Sequence, residues 1–193
     1  MPHNLLAACI QLTSRDDLAR NLELSARMCA AAAARGAKLV VLPENFAFLG
    51  TQERDKFAVA ETLTLGPAQA ANGPIVRALG EMAQQNKLWI VAGGMAETIS
   101  EPRAPAPADK VYNTLVVVNP DGDVVQTYRK IHMFDVDIPG GATFKETATC
   151  LPGDTPRLVD TPFGPIALSI CYDLRFPELY RQLTAQGARI LVV

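Results

Sequence analysis

The feature that most constrains this chain is a recurring pair: a short, almost wholly apolar run, and a longer stretch with apolar residues at helical spacing. Residues 38–42, 88–92 and 166–170 are the clearest of the short runs. Each is too short for a buried helix, and apolarity at both odd and even positions predicts a strand covered on both faces. Such strands need a layer on either side, which places the fold in the α/β class and excludes a helical bundle or a one-sided meander.

The intervening segments agree. Ser14-Arg15-Asp16-Asp17 offers an N-cap with an acidic first turn, Leu18, Leu22, Ala26 and Cys29 follow at near-helical spacing, and Gly36 supplies a stop. A second helix is expected from Gly73-Pro74 to about Asn86, and a third over 177–186, opened by Pro177 and closed by Gly187. Residues 5–12 form a first strand. Residues 111–118 and 124–128 flank Asn-Pro-Asp-Gly-Asp, which predicts a hairpin whose Asp-Gly pair takes positive φ. A loop is expected over 97–109, with Pro102, Pro105 and Pro107. Residues 129–155 show no clean period, and so long an irregular connection usually carries function. A last strand begins at 189–193 and breaks off inside an apolar run, from which a C-terminally incomplete domain is expected.

Size and composition narrow the function. With 193 residues, a single domain over 1–193 is expected. Hydrophobic residues at 49% and charged residues at 20% exclude a disordered or collagen-like chain. Eighteen Lys and Arg against 20 Asp and Glu leave a net charge of −2, which argues against nucleic acid or an anionic membrane surface as partner. The four cysteines (Cys9, Cys29, Cys150, Cys171) have no C-x-x-C spacing and do not form a disulfide framework. The N-terminal run has no basic leader, and no apolar run approaches the ~20 residues of a membrane span. A cytoplasmic protein acting on a small molecule is the expectation.

Three stretches carry residues capable of chemistry. In LPEN, Glu44 lies just past the end of a buried strand, where open α/β sheets place their ligands. Apolar flanks there suit a general base, although an ordinary loop acid or helix cap has the same local appearance. In YRKIH, Arg129 and Lys130 enter the long irregular connection; by themselves they read as surface charges, and His132 as a structural hydrogen-bonder. In ICYDLRFPE, Cys171 closes a buried strand six residues before a helix, an elbow that presents a side chain near backbone N–H groups. Cys9 and Cys29 are read as buried and inert.

Taken together, these stretches resemble the nitrilase, or carbon–nitrogen hydrolase, superfamily. Its Glu–Lys–Cys triad matches Glu44, Lys130 and Cys171, and a second glutamate of the family matches Glu146 in FKET, upstream of LPGD at 151–154. The resemblance implies a four-layer α-β-β-α sandwich, a homodimer, no metal or organic cofactor, and an amidase that passes through a cysteine thioester and releases ammonia. In the implied scheme the Tyr172 N–H joins Lys130 in holding the oxyanion. The segment His132–Pro139 looks like the branch containing deaminated glutathione amidases; the neighbouring branch holds ω-amidases acting on α-ketoglutaramate and α-ketosuccinamate. Substrates of this type carry carboxylates, for which Arg175 and Arg129 are the candidate ligands, whereas Tyr172 and Phe176 are expected to pack the elbow. Two rivals remain: a Cys–His hydrolase using His132, and a non-catalytic binding domain that keeps only the fold.

Overall fold

The computed structural model describes residues 4–71, 73–100, 109–141 and 143–193. The chain runs β1 (Ala7–Cys9), α1 (Leu18–Ala34), β2 (Leu39–Leu42), β3 (Gly66–Pro67), α2 (Ala68–Ala71), α3 (Pro74–Asn86) and β4 (Trp89–Thr98). The hairpin β5 (Val111–Val118) and β6 (Asp123–Arg129) follows, then β7 (Asp135–Asp137), β8 (Thr143–Lys145) and β9 (Cys150–Leu151). Last come β10 (Leu158–Val159), β11 (Ile166–Leu168), α4 (Pro177–Ala185) and β12 (Ile190–Val192).

Two sheets organise the core. The larger has strand order β1-β2-β4-β5-β6-β3, parallel through β4 and antiparallel beyond, with β9 added beside β5. The smaller is β10-β11-β12. Alternation along each strand assigns the faces. Val40 and Leu42 meet Ile75, Val76, Leu79 and Met82 of α3, while Leu39 joins Val91, Leu115 and Tyr128 against Ile166, Leu168 and Val192 of the smaller sheet. Ala167 points the other way, onto Leu179 and Leu183 of α4. The order is therefore helix, sheet, sheet, helix: the four layers expected of the family resemblance.

Asp17 rather than Ser14 caps α1, its carboxylate accepting from the Arg20 N–H at 3.0 Å. One turn further in, buried Asn21 donates to the carbonyls of Arg15 and Ala47, tying α1 to the loop that follows β2. Several expectations change in detail. The hairpin turn has positive φ at Gly122 but not at Asp121, and the register of β5 and β6 shifts between Val117 and Val118; Asn119 Oδ1 instead accepts from the N–H groups of Asp121 and Asp123. Strand β4 extends through Glu97 and Thr98, which were expected in a loop, because the edge of β5 pairs with them. The prolines at 102, 105 and 107 lie outside the described residues. Cys29 is buried as expected, but Cys9 is exposed, since β1 is the outer strand of its sheet. Among the described residues no helix is long and apolar enough to cross a membrane.

Candidate active site

Each of the four family-matched side chains leaves the scaffold at the end of a strand. Glu44 follows β2 in a turn closed by Phe46 N–H to the Pro43 carbonyl, with Asn45 at φ 58°, a left-handed conformation that asparagine tolerates better than most residues. Lys130 sits one residue past β6 and is held by its backbone on both sides. Its N–H donates to the Asn113 carbonyl at 2.9 Å and its carbonyl accepts from the Gly153 N–H at 2.7 Å. A Cβ on Gly153 would stand 2.4 Å from the Arg129 carbonyl oxygen, which explains the glycine of LPGD. Cys171 begins a short 3-10 turn, Cys171–Arg175, with φ 47°. A non-glycine residue in that region is strained, and such strain gathers at sites that must present a side chain sharply.

These residues converge. Lys130 Nζ lies 3.2 Å from Glu44 Oε1 and 2.9 Å from Glu146 Oε2. Glu146 Oε2 also accepts from the Phe134 N–H at 2.7 Å, fixing it across the β7–β8 ribbon. Glu44, Lys130, Glu146 and Cys171 line one cleft of about 270 Å³, with Asn113, Phe134 and Lys145 among its other walls. The Lys130 side chain is only 2% exposed. Burial pulls its pKa down, but Glu44 and Glu146 outweigh that pull, so the net shift is upward and the group is an ammonium. The Cys171 thiol is pushed up to about 11, first by desolvation and then by the Glu44 carboxylate, against a smaller lowering by Lys130. The ammonium therefore does not produce a resting thiolate. A thiol beside a carboxylate and an ammonium can do nucleophilic chemistry only if the carboxylate takes its proton as attack proceeds.

The profile described as Carbon-nitrogen hydrolase matches residues 6–193. The chain belongs to the carbon–nitrogen hydrolase family. A deaminated glutathione amidase of Synechocystis sp. (strain PCC 6803 / GT-S) is 42% identical to it over 190 residues, covering 97% of this chain and 65% of that protein. A chloroplastic omega-amidase of Arabidopsis thaliana is 38% identical over 182 residues, covering 94% of this chain and 46% of that protein. Among solved structures, the NitFhit protein of C. elegans superimposes with a TM-score of 0.78 at 32% identity, over 96% of this chain and 42% of that one. The carbon–nitrogen hydrolase chain thus spans about two thirds or less of the curated relatives named here.

Within this carbon–nitrogen hydrolase site, neither Arg129 nor Arg175 is among the residues that line the cleft. Strand alternation sends Arg129 to the face opposite Tyr128 and Lys130. There its guanidinium pairs with Glu97 at 2.7 and 2.9 Å and lies 4.0 Å over the Tyr112 ring, away from the Cys171 cleft. Arg175 ends the 3-10 turn, exposed, and is not among the cleft residues. His132 is engaged elsewhere: Nδ1 meets Asp173 Oδ1 at 2.7 Å and the ring stacks on Phe176 at 3.6 Å, and the residue is not among those lining the Cys171 cleft. Tyr172 and Phe176 pack edge to face beside the elbow, as expected. The sequence reading missed Asn113, whose amide reaches both carboxylates; its one signal was an amide side chain inside a largely apolar strand.

Proposed function

We propose that this chain is a single amidase domain that hydrolyses a carbon–nitrogen bond of a small carboxylate-bearing amide through a thioester on Cys171. The convergence of Glu44, Lys130, Glu146 and Cys171 on one cleft carries this reading. Glu44 takes the thiol proton while Cys171 Sγ attacks the amide carbonyl, forming the S–C bond. The oxyanion is held by the Lys130 ammonium and by the N–H of Tyr172, which is the second residue of the 3-10 turn and so has no acceptor within it. Glu44 returns the proton to nitrogen, the C–N bond breaks and ammonia leaves. Water, deprotonated by Glu44, then attacks the thioester; the S–C bond breaks, Glu44 returns the proton to Cys171 Sγ, and the carboxylic acid departs. Glu146 holds Lys130 in place throughout. The scheme calls for no metal or organic cofactor.

Deaminated glutathione is the substrate we infer first, given the relative at 42% identity, and α-ketoglutaramate or α-ketosuccinamate the second, given the omega-amidase at 38%. A cytoplasmic setting and a homodimer belong to the same reading. The discriminating experiment is ammonia release from deaminated glutathione set against α-ketoglutaramate. Faster release from the first supports the leading assignment, faster release from the second supports the alternative, and release from neither, nor from simple aliphatic amides, favours a non-catalytic binding protein.

A further inference from the structure

The four-residue cluster has a fifth member that binds both acids at once. Asn113 lies in β5, where its neighbours Tyr112 and Thr114 are buried and its own side chain turns toward the cleft. Its Nδ2 donates to Glu44 Oε1 at 2.8 Å and to Glu146 Oε1 at 3.1 Å. Lys130 Nζ approaches the same two oxygens, at 3.2 and 3.1 Å. Each Oε1 atom is therefore shared between an amide and an ammonium. Both N–H groups of the amide are committed, while its own Oδ1 is buried and, among the described residues, has no hydrogen-bond partner. Rotating the amide to satisfy Oδ1 elsewhere would aim oxygen at two carboxylates, so the observed orientation is the only one the neighbours accept.

The backbone makes room for this arrangement. Gly94 lies at the β4 register shift with φ 39°, and a Cβ there would stand 2.6 Å from Asn113 Oδ1 and 2.7 Å from Glu44 Cγ. The strand thus gives up a side chain where Asn113 and Glu44 must sit together.

We infer that Asn113 is a positioning residue for the hydrolase reaction: its amide holds the Glu44 and Glu146 carboxylates side by side, so that Glu44 stays aimed at Cys171. The inference rests on the amidase reading only for its consequence in turnover. Two carboxylates within reach of one nitrogen repel, and without a donor between them they move apart. The charged groups around Glu44 are Lys130 and Glu146, beside the thiol of Cys171, with Glu53, Lys56 and Lys145 along the cleft wall. Lys130 donates to both acids and the Phe134 N–H to Glu146 Oε2, and the Asn113 amide is the neutral donor that bridges the two Oε1 atoms.

The test pairs Asn113→Asp, which adds a charge, with Asn113→Ser, which is neutral and removes the two donors. Iodoacetamide alkylation of Cys171, followed across pH by peptide mapping, reads the proximity of Glu44 to the thiol without requiring turnover, because the thiol is raised by desolvation and then by the Glu44 carboxylate. In Asn113→Ser, alkylation at a given alkaline pH is expected to speed up severalfold as Glu44 leaves the thiol. In both variants kcat for ammonia release falls, further in Asn113→Asp, and KM changes less than kcat. Should Asn113→Asp fail to fold, Asn113→Ser decides alone. An alkylation profile that coincides with the wild type overturns the inference even if the protein is an active amidase. A shifted alkylation profile in a protein that releases no ammonia upholds it and rejects the amidase reading instead.

Discussion

Lys130 Nζ stands 3.2 Å from Glu44 Oε1 while its side chain is 2% exposed, so the ammonium between the two acids is buried and already engaged by them before substrate arrives. Replacing it with Met removes an oxyanion donor and leaves Glu44 and Glu146 facing each other without the charge between them. Turnover is expected to fall on the order of 10²–10³-fold or more, measured as ammonia release at saturating amide. An unchanged rate would remove Lys130 from the mechanism.

The thiol of Cys171, raised to about 11, predicts a specific pH response. A group whose acid is weakened this way stays protonated at neutral pH, and its nucleophilic form grows as pH rises. Alkylation by iodoacetamide without substrate is therefore expected to accelerate about tenfold per unit through the alkaline range. Turnover, by contrast, needs no free thiolate because Glu44 removes the proton during attack. Peptide mapping must separate Cys171 from Cys9, which is also exposed. Alkylation that levels off below neutral pH would show a preformed thiolate instead.

Asp173 predicts a stability effect distinct from catalysis. It is fully buried and accepts from Tyr128 Oη at 2.8 Å, the Ile170 N–H at 2.9 Å and the His132 N–H at 3.1 Å. These bonds clamp the Cys171 elbow to the segment after Lys130. Asp173→Ala orphans several buried donors and is expected to cost about 3–5 kcal/mol, seen as a lowered urea midpoint. His132→Gln loses the Nδ1–Asp173 contact and the stack on Phe176 and should retain most activity; a loss as deep as that of Cys171→Ala would support the Cys–His reading.

Gly94→Ala is expected to damage catalysis more than folding. The new methyl would meet Asn113 Oδ1 and Glu44 Cγ, and the backbone at φ 39° disfavours a side chain. Comparing kcat with thermal stability checks this: a large fall in kcat with a modest change in midpoint is the expected pattern, and wild-type kcat contradicts it.

What the sequence revealed follows from where its signals are local. The α/β class was legible because β2, β4 and β11 are apolar at both parities, which suits a doubly covered strand, whereas the four layers came from the family resemblance. Glu44 and Cys171 were legible because each ends such a strand. The β7–β8 ribbon was not: each strand is three residues long, and around the Val136–Phe144 pair the partners Asp135, Lys145, Asp137 and Thr143 are exposed and polar. Arg129 was misplaced because a charge beside Lys130 in sequence lies across the strand from it in space. Asn113 stayed hidden because its partners are 69 and 33 residues away.

Detection of an acyl group on Cys171 tests the central claim most directly. Rapidly quenched wild-type protein, mixed with a hydrolysed amide, should show by intact mass one added acyl group on the peptide containing Cys171, formed with one equivalent of ammonia, and Cys171→Ala should show neither. Undiminished ammonia release from Cys171→Ala, with no adduct on the wild type, would contradict the account.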